Sequence, residues 1–185
     1  ATGNLFPALR FCRCRLDAVC DLRPERAEFN ARVFGGRRWF TDADKMLDEC
    51  ELDGVIIVGN AQAMHYGLGM KVLNRGIHLM VEKPPANDPA AYAEMLALAK
   101  DKNLVLMTAL MKLHGMAYAK ARQMIVSGQF RPTSAYLHYG TWAPKANPEN
   151  PFQMGRDHLR GLMFGMGIHI VGLAWHFFGK PVSVT

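Results

Sequence analysis

Apolar positions along the first hundred residues fall into short runs separated by amphipathic stretches, and the two periods alternate. "LDAVCD", 16–21, is a brief apolar run closed by an acid and predicts a strand. "PERAEFNARVF", 24–34, predicts a helix. Pro24 sits in its first turn, where the missing N–H is harmless, and Gly35-Gly36 stops it. "RRWF" predicts a second strand. Thr41, with Asp44 three residues on, has the register of a capping box for a short helix. "DGVIIVG", 53–59, is continuously apolar and predicts a strand buried on both faces. "AMHYGLGMKVLNR" predicts a helix ended by Gly76, and "IHLMVE" the next strand. Asp88 and Pro89 start a helix through Lys100, with Ala91, Met95 and Leu98 on one face. "LVLMTA", 104–109, predicts another buried strand.

Strand and helix thus alternate from residue 16 to 109, the pattern of parallel βαβ units in a doubly wound sheet. Ligands of such sheets bind beyond the carboxyl ends of the strands. Here those ends carry Asp21, Gly59-Asn60 and Glu82-Lys83. After residue 110 the pattern changes. A helix is predicted over 114–127, closed by Ser127 and Gly128, and "TSAYLHYGTW", 133–142, alternates like a strand. A loop with Pro144, Pro148 and Pro151 precedes a long apolar helix, 161–179, and a final strand start, "PVSVT". The expected fold is α/β. Residues 1–109 form a Rossmann-like dinucleotide-binding domain lacking its first strand. Residues 110–185 begin an α+β substrate domain.

Composition narrows this little. Of 185 residues, 50% are hydrophobic, enough for a sizeable core, and the formal net charge is +6. Residues 1–40 hold eight Arg against four acids, a balance that favours anionic partners without naming one. No aromatic-interleaved basic stripe supports a nucleic-acid partner. Cys12, Cys14, Cys20 and Cys50 form no C-x-x-C pair, so reduced thiols and a cytoplasmic location are expected. No signal-peptide pattern is seen. Residues 161–179 carry no Asp, Glu, Lys or Arg and approach the roughly 20 residues of a membrane span. His169, His176 and the interspersed glycines favour a helix buried in protein, so no membrane partner is expected. The start at Ala1 and the stop at Thr185 lead to the expectation of a fragment. Such a chain would be poorly soluble and weak in NADH binding.

Several residues carry candidate chemistry. Gly3 before a short helix suits a phosphate-binding turn. Asp21, about 20 residues on, stands where an acid holds the ribose hydroxyls of NAD; the alternative is a residue that starts the turn before Pro24. His176 lies two helical turns beyond His169. A metal pair there lacks a third ligand in register, and no metal site is expected. Met163 and Met166 read as core.

The stretch 53–86 resembles the Gfo/Idh/MocA family of oxidoreductases. The family's E-K-P signature sits here as Glu82-Lys83-Pro84. Its V-x-x-P-x-x-x-H loop matches Val58, Gly59, Asn60, Ala61 and His65, with Ala61 in place of Pro. "VCDLRPERA" matches its second strand but for one additional residue. "GMGIH", 165–169, matches its D-x-G-x-H element with Gly165 in place of the Asp. The resemblance covers nearly the whole chain.

It implies an NAD(P)-dependent dehydrogenase acting on a polyol or sugar hydroxyl. It implies a cis Lys83-Pro84 bond and a Lys83 that stabilises charge on the substrate oxygen beside the nicotinamide. Glu82 orients Lys83 or holds the cofactor. His169 is the acid–base group, a core histidine being the alternative. Asn60 and His65 belong to the cofactor loop. Lys112 falls near a substrate-contacting basic position, and Tyr139 and Trp142 line the same pocket. A homo-oligomer is expected. Asp21 would repel a 2′-phosphate and favours NAD, while Arg23 and Arg26 leave NADP open. With an acid missing at 165 and Gly172 in place of another, a relative that binds dinucleotide without net oxidation stays as the rival. Such relatives are sugar-sensing regulators and NAD-dependent glycosidases.

Overall fold

The computed structural model describes residues 5–59, 62–138 and 166–184. Its strands follow the predicted alternation. β1 (Ala18–Cys20) pairs in parallel with β2 (Arg38–Phe40), Ala18 opposite Arg38. β3 (Gly54–Ile57) pairs in parallel with β4 (His78–Val81), Gly54 opposite His78, and β5 (Leu106–Thr108) lies on the other side of β4. The intervening helices are α1 (Leu5–Leu9), α2 (Pro24–Phe34), α3 (Ala43–Glu49), α4 (Gln62–Asn74) and α5 (Pro89–Asp101). A 3-10 turn (Met111–His114), α6 (Met116–Val126) and α7 (Ile168–Phe178) follow. The sheet is in two pieces, β1-β2 and β3-β4-β5. Among the described residues β1 and β3 each keep one edge without a ladder partner, as expected of a doubly wound sheet lacking the strand between them.

The chain divides into two units. One comprises residues 1–81 and 86–107, the other residues 82–85 and 108–185. The first has the core. Leu73, Leu79, Val81 and Met95, from α4, β4 and α5, are fully buried. Gly69 on α4 lets α5 come close, since a Cβ there would stand 2.5 Å from Met95 Cε. Asp88 caps α5 by accepting the Ala91 N–H at 2.9 Å, with Pro89 next to it, as the sequence predicts.

Four expectations change. The cap of α3 is Asp42, not Thr41: its extended backbone lets the carboxylate accept the Lys45 N–H at 3.1 Å. β3 is buried on one face only, with Ile57 8% exposed but Ile56 42% and Val58 37%. The continuous apolar run fits a strand covered on both faces, yet β3 ends its sheet and its other face has no cover among the described residues. Of the strand expected over 133–142, residues 133–138 form none, Tyr136 is 89% exposed, and residues 139–142 lie outside the described residues. Alternation alone cannot make a strand without a ladder partner, and among the described residues none is present. Residues 181–184 likewise form no strand. The predicted apolar helix is observed from Ile168, and residues 161–165 lie outside the described residues. Among the described residues no helix is long and apolar enough to cross a membrane.

Candidate active site

At the carboxyl end of β1, one Asp21 carboxylate oxygen accepts the backbone N–H of Arg23 at 2.9 Å. The turn reading of Asp21 therefore holds, but a carboxylate has about four acceptor sites and one bond leaves others for a ligand. Cys20 reports its surroundings: burial, then Asp42 and Asp21, push its thiol above the usual value. Two acids thus gather at the ends of β1 and β2. That charge suits ribose hydroxyls and opposes a 2′-phosphate. Beyond β3, His65 is 1% exposed, and its Nε2 lies 3.1 Å from the Gly59 carbonyl oxygen. A carbonyl only accepts, so Nε2 carries the proton in this bond. His65 therefore pins the loop from inside. Gly3 and Asn60 lie outside the described residues.

The second unit holds the other candidates. β4 stops at Val81, and the next four residues belong to this unit. Pro84 cannot donate to a ladder. The Lys83–Pro84 bond is cis, as the resemblance implies. The Glu82 carboxylate accepts the backbone N–H of Lys83 at 3.0 Å, which ties the acid to the turn. Lys112 is in the 3-10 turn that packs on α7. Leu110, just before that turn, lies 3.6 Å from where a Cβ on Gly172 would stand. His169, in the first turn of α7, is three residues before Gly172 and shares that face. Burial pushes the His169 imidazole below its usual value, and Lys83 and Lys112 push it further, against Glu82. Lys83, Lys112, Glu82 and His169 therefore share one electrostatic neighbourhood within a single unit. A neutral imidazole there can accept a hydroxyl proton, and an ammonium can stabilise the oxygen left behind.

His176 does not join this group. Arg122 Nε donates to its carbonyl oxygen at 3.0 Å, and the residue borders an open groove with Ala119 and Ser127 of α6 and its C-cap. Among the described residues no group of His, Cys, Asp or Glu could hold a metal ion. Tyr139, Trp142 and Gly165 lie outside the described residues. Sequence reading missed Asp42 as a neighbour of Asp21. The signal was available: an acid follows β2 as Asp21 follows β1.

Parallel strands that alternate with helices place the first unit in the Rossmann class of α/β folds. Residues 5–110 match the oxidoreductase family with an NAD-binding Rossmann fold, and the chain belongs to that family, Gfo/Idh/MocA. D-glucoside 3-dehydrogenase of Escherichia coli (strain K12) is 28% identical over 173 residues, covering 90% of this chain and 47% of that protein. A probable dehydrogenase from Thermotoga maritima superposes with a TM-score of 0.73 at 18% identity, over 95% of this chain and 51% of that one. Scyllo-inositol dehydrogenase from Lactobacillus casei, solved with bound NAD(H) and scyllo-inositol, gives 0.61 at 23% identity, over 69% of this chain and 38% of that one. At such identities the structures show the fold alone. The chain spans about half the length of the curated relatives it matches.

Proposed function

We propose that this chain belongs to an NAD-dependent dehydrogenase that moves a hydride between the nicotinamide and a CH–OH group of a polyol or sugar. The observation that carries this reading is the match of residues 5–110 to an oxidoreductase family with an NAD-binding Rossmann fold, and a His169 that burial and then Lys83 favour in its neutral form adds to it. Bound NAD would supply the hydride acceptor. Asp21 would hold its ribose hydroxyls, Asp42 would add charge against a 2′-phosphate, and His65 would act by fixing the Gly59 loop. In alcohol oxidation, His169 takes the hydroxyl proton as the C–H bond breaks. Lys83 stabilises the negative charge on that oxygen, and Glu82 holds the Lys83 backbone in place. Asn60 would complete the cofactor loop, Gly3 the phosphate turn, and Tyr139 and Trp142 the substrate pocket. The four cysteines are free, which fits a reducing cytoplasm.

A second reading has one specific support. Gly165 stands four residues before His169, where the resemblance implies an acid. A relative that binds dinucleotide without net oxidation would tolerate that loss. Steady-state NADH formation by the intact protein with a polyol and sugar panel separates the two. Turnover is expected, and Lys83→Ala should lower kcat about a hundredfold or more while sparing NADH affinity. Tight NADH binding with no turnover of any panel member would favour the second reading.

A further inference from the structure

The cysteine pair of "RFCRCR", 10–15, has no part in the dehydrogenase reading. It lies in the connection between α1 and β1, before the amino end of β1, whereas Asp21 stands at the carboxyl end. Cys12 and Cys14 are both free and exposed, while Cys20 is half-buried and Cys50 buried. Phe11 beside them is 93% exposed, so nothing among the described residues covers this segment.

The two thiols converge. Cys12 Sγ donates to the Ala8 carbonyl oxygen at 3.6 Å and Cys14 Sγ to that of Leu9 at 3.8 Å, so both sulfurs sit at the same end of α1, on consecutive carbonyls. A thiol is a weak donor, and these bonds are dispensable. Each carbonyl also accepts a backbone N–H, Ala8 from Phe11 at 3.0 Å and Leu9 from Cys12 at 3.1 Å, and keeps that partner when the thiol leaves. Two residues span at most about 7 Å when fully extended. The chain bends at Cys12 and Arg13, which brings the pair toward the roughly 4.4–6.8 Å between Cα atoms that a disulfide spans.

The surroundings are positive. Arg15 and Arg37 share Asp17, at 3.3 and 3.6 Å, but among the described residues Arg10 and Arg13 form no ion pair. Exposed cysteines in electropositive surroundings are the reactive ones.

We propose that Cys12 and Cys14 form a redox-active dithiol, which an anionic small disulfide of the glutathione class oxidises reversibly to a Cys12–Cys14 disulfide. One cysteine, as its thiolate, attacks a sulfur of glutathione disulfide; that S–S bond breaks and one glutathione leaves. The second cysteine, as its thiolate, attacks the mixed disulfide and releases the other glutathione. Two protein thiols thus lose two electrons and two protons, and one glutathione disulfide becomes two glutathiones. Arg10 and Arg13 draw in glutathione disulfide, which carries net negative charge. A disulfide closed over one residue on the surface is of the strained, labile kind, suited to sensing rather than to holding a fold. The resting dithiol fits reducing surroundings, where disulfides are transient.

The test incubates the intact protein with glutathione disulfide, quenches with iodoacetamide and weighs the chymotryptic peptide 12–16, which holds both cysteines. The peptide should be unalkylated and two hydrogen atoms lighter than the dithiol. It should exceed its glutathionylated form at least about tenfold, since the second thiol attacks within the chain. Dilution of the protein should not change this, and dithiothreitol should reverse it. Cys12→Ser and Cys14→Ser should each stop at a mixed disulfide with one glutathione. Arg10→Gln with Arg13→Gln should slow oxidation by glutathione disulfide several-fold and leave oxidation by neutral hydroxyethyl disulfide unchanged. A peptide that stays reduced, ends glutathionylated or links two chains would overturn the proposal. So would oxidation of Cys20 or Cys50 ahead of the pair, or a double arginine variant that slows neither oxidant or both equally.

Discussion

His169 and Asp21 show how much a single side chain's surroundings decide. The imidazole must be neutral to accept a proton, and burial with two neighbouring lysines favours that form. With a sugar or polyol substrate, kcat/KM should be flat above neutrality and fall on the acid side, through a value below the usual histidine range. The sign follows from each charge. Glu82→Gln removes an attraction and should move that limb to lower pH, whereas Lys112→Gln removes a repulsion and should move it higher. His169→Ala should abolish the limb; a profile that ignores all three changes returns His169 to a packing role. For Asp21, the bond to the Arg23 N–H means that Asp21→Ala loses both a turn contact and a ligand acceptor. NAD affinity should fall and the ratio of NADP to NAD affinity should rise, measured by fluorescence titration of the two reduced cofactors. If both affinities fall in parallel, the residue serves the turn alone.

At the scale of elements, β3 is the informative case. Its sequence is apolar throughout, yet Ile57 faces the core with β4 and α4 while Ile56 faces away. Ile57→Ala should cost about 2–5 kcal/mol through lost burial and a residual cavity. Ile56→Thr, at a position 42% exposed, should stay within about 0.5 kcal/mol. Urea midpoints of the two variants check this, and equal losses would mean that both faces are buried. Helix caps show the complementary limit of pattern reading. Asp88 is legible from its position before Pro89. Thr41 and Asp42 both fit the rule for a cap, and only the backbone conformation at 42 chooses between them.

For the molecule as a whole, the sheet in two pieces has a consequence. β1 and β3 each present an edge without a partner among the described residues, and Ile56 and Val58 add apolar surface beside the β3 edge. Such an edge templates pairing with another chain. The 185-residue chain should therefore associate with rising concentration, as followed by light scattering. Ile56→Lys should suppress that association without lowering the urea midpoint, because a charge on an edge strand opposes pairing. A monodisperse chain at high concentration would show that this edge is covered.

Local physics made most of the first unit legible. Pro24, Gly35, Gly76, Asp88 and Pro89 punctuate the chain through backbone constraints that act within a few residues. The two hydrophobic periods between them announce helix and strand wherever they are read. Glu82-Lys83-Pro84 stood out for the same reason: charge and proline at the end of an apolar run do not continue a strand. Tertiary structure decided what depends on partners distant in the chain. Burial of Ile57 but not Ile56 depends on which strands pair, and the unrealised strand at 133–138 on whether a ladder neighbour is at hand. The grouping of residues 82–85 with the second unit brings Lys83, Lys112 and His169 into one electrostatic field. No spacing along the chain encodes that meeting, because residues 83, 112 and 169 share a neighbourhood only after the fold has closed the intervening loops.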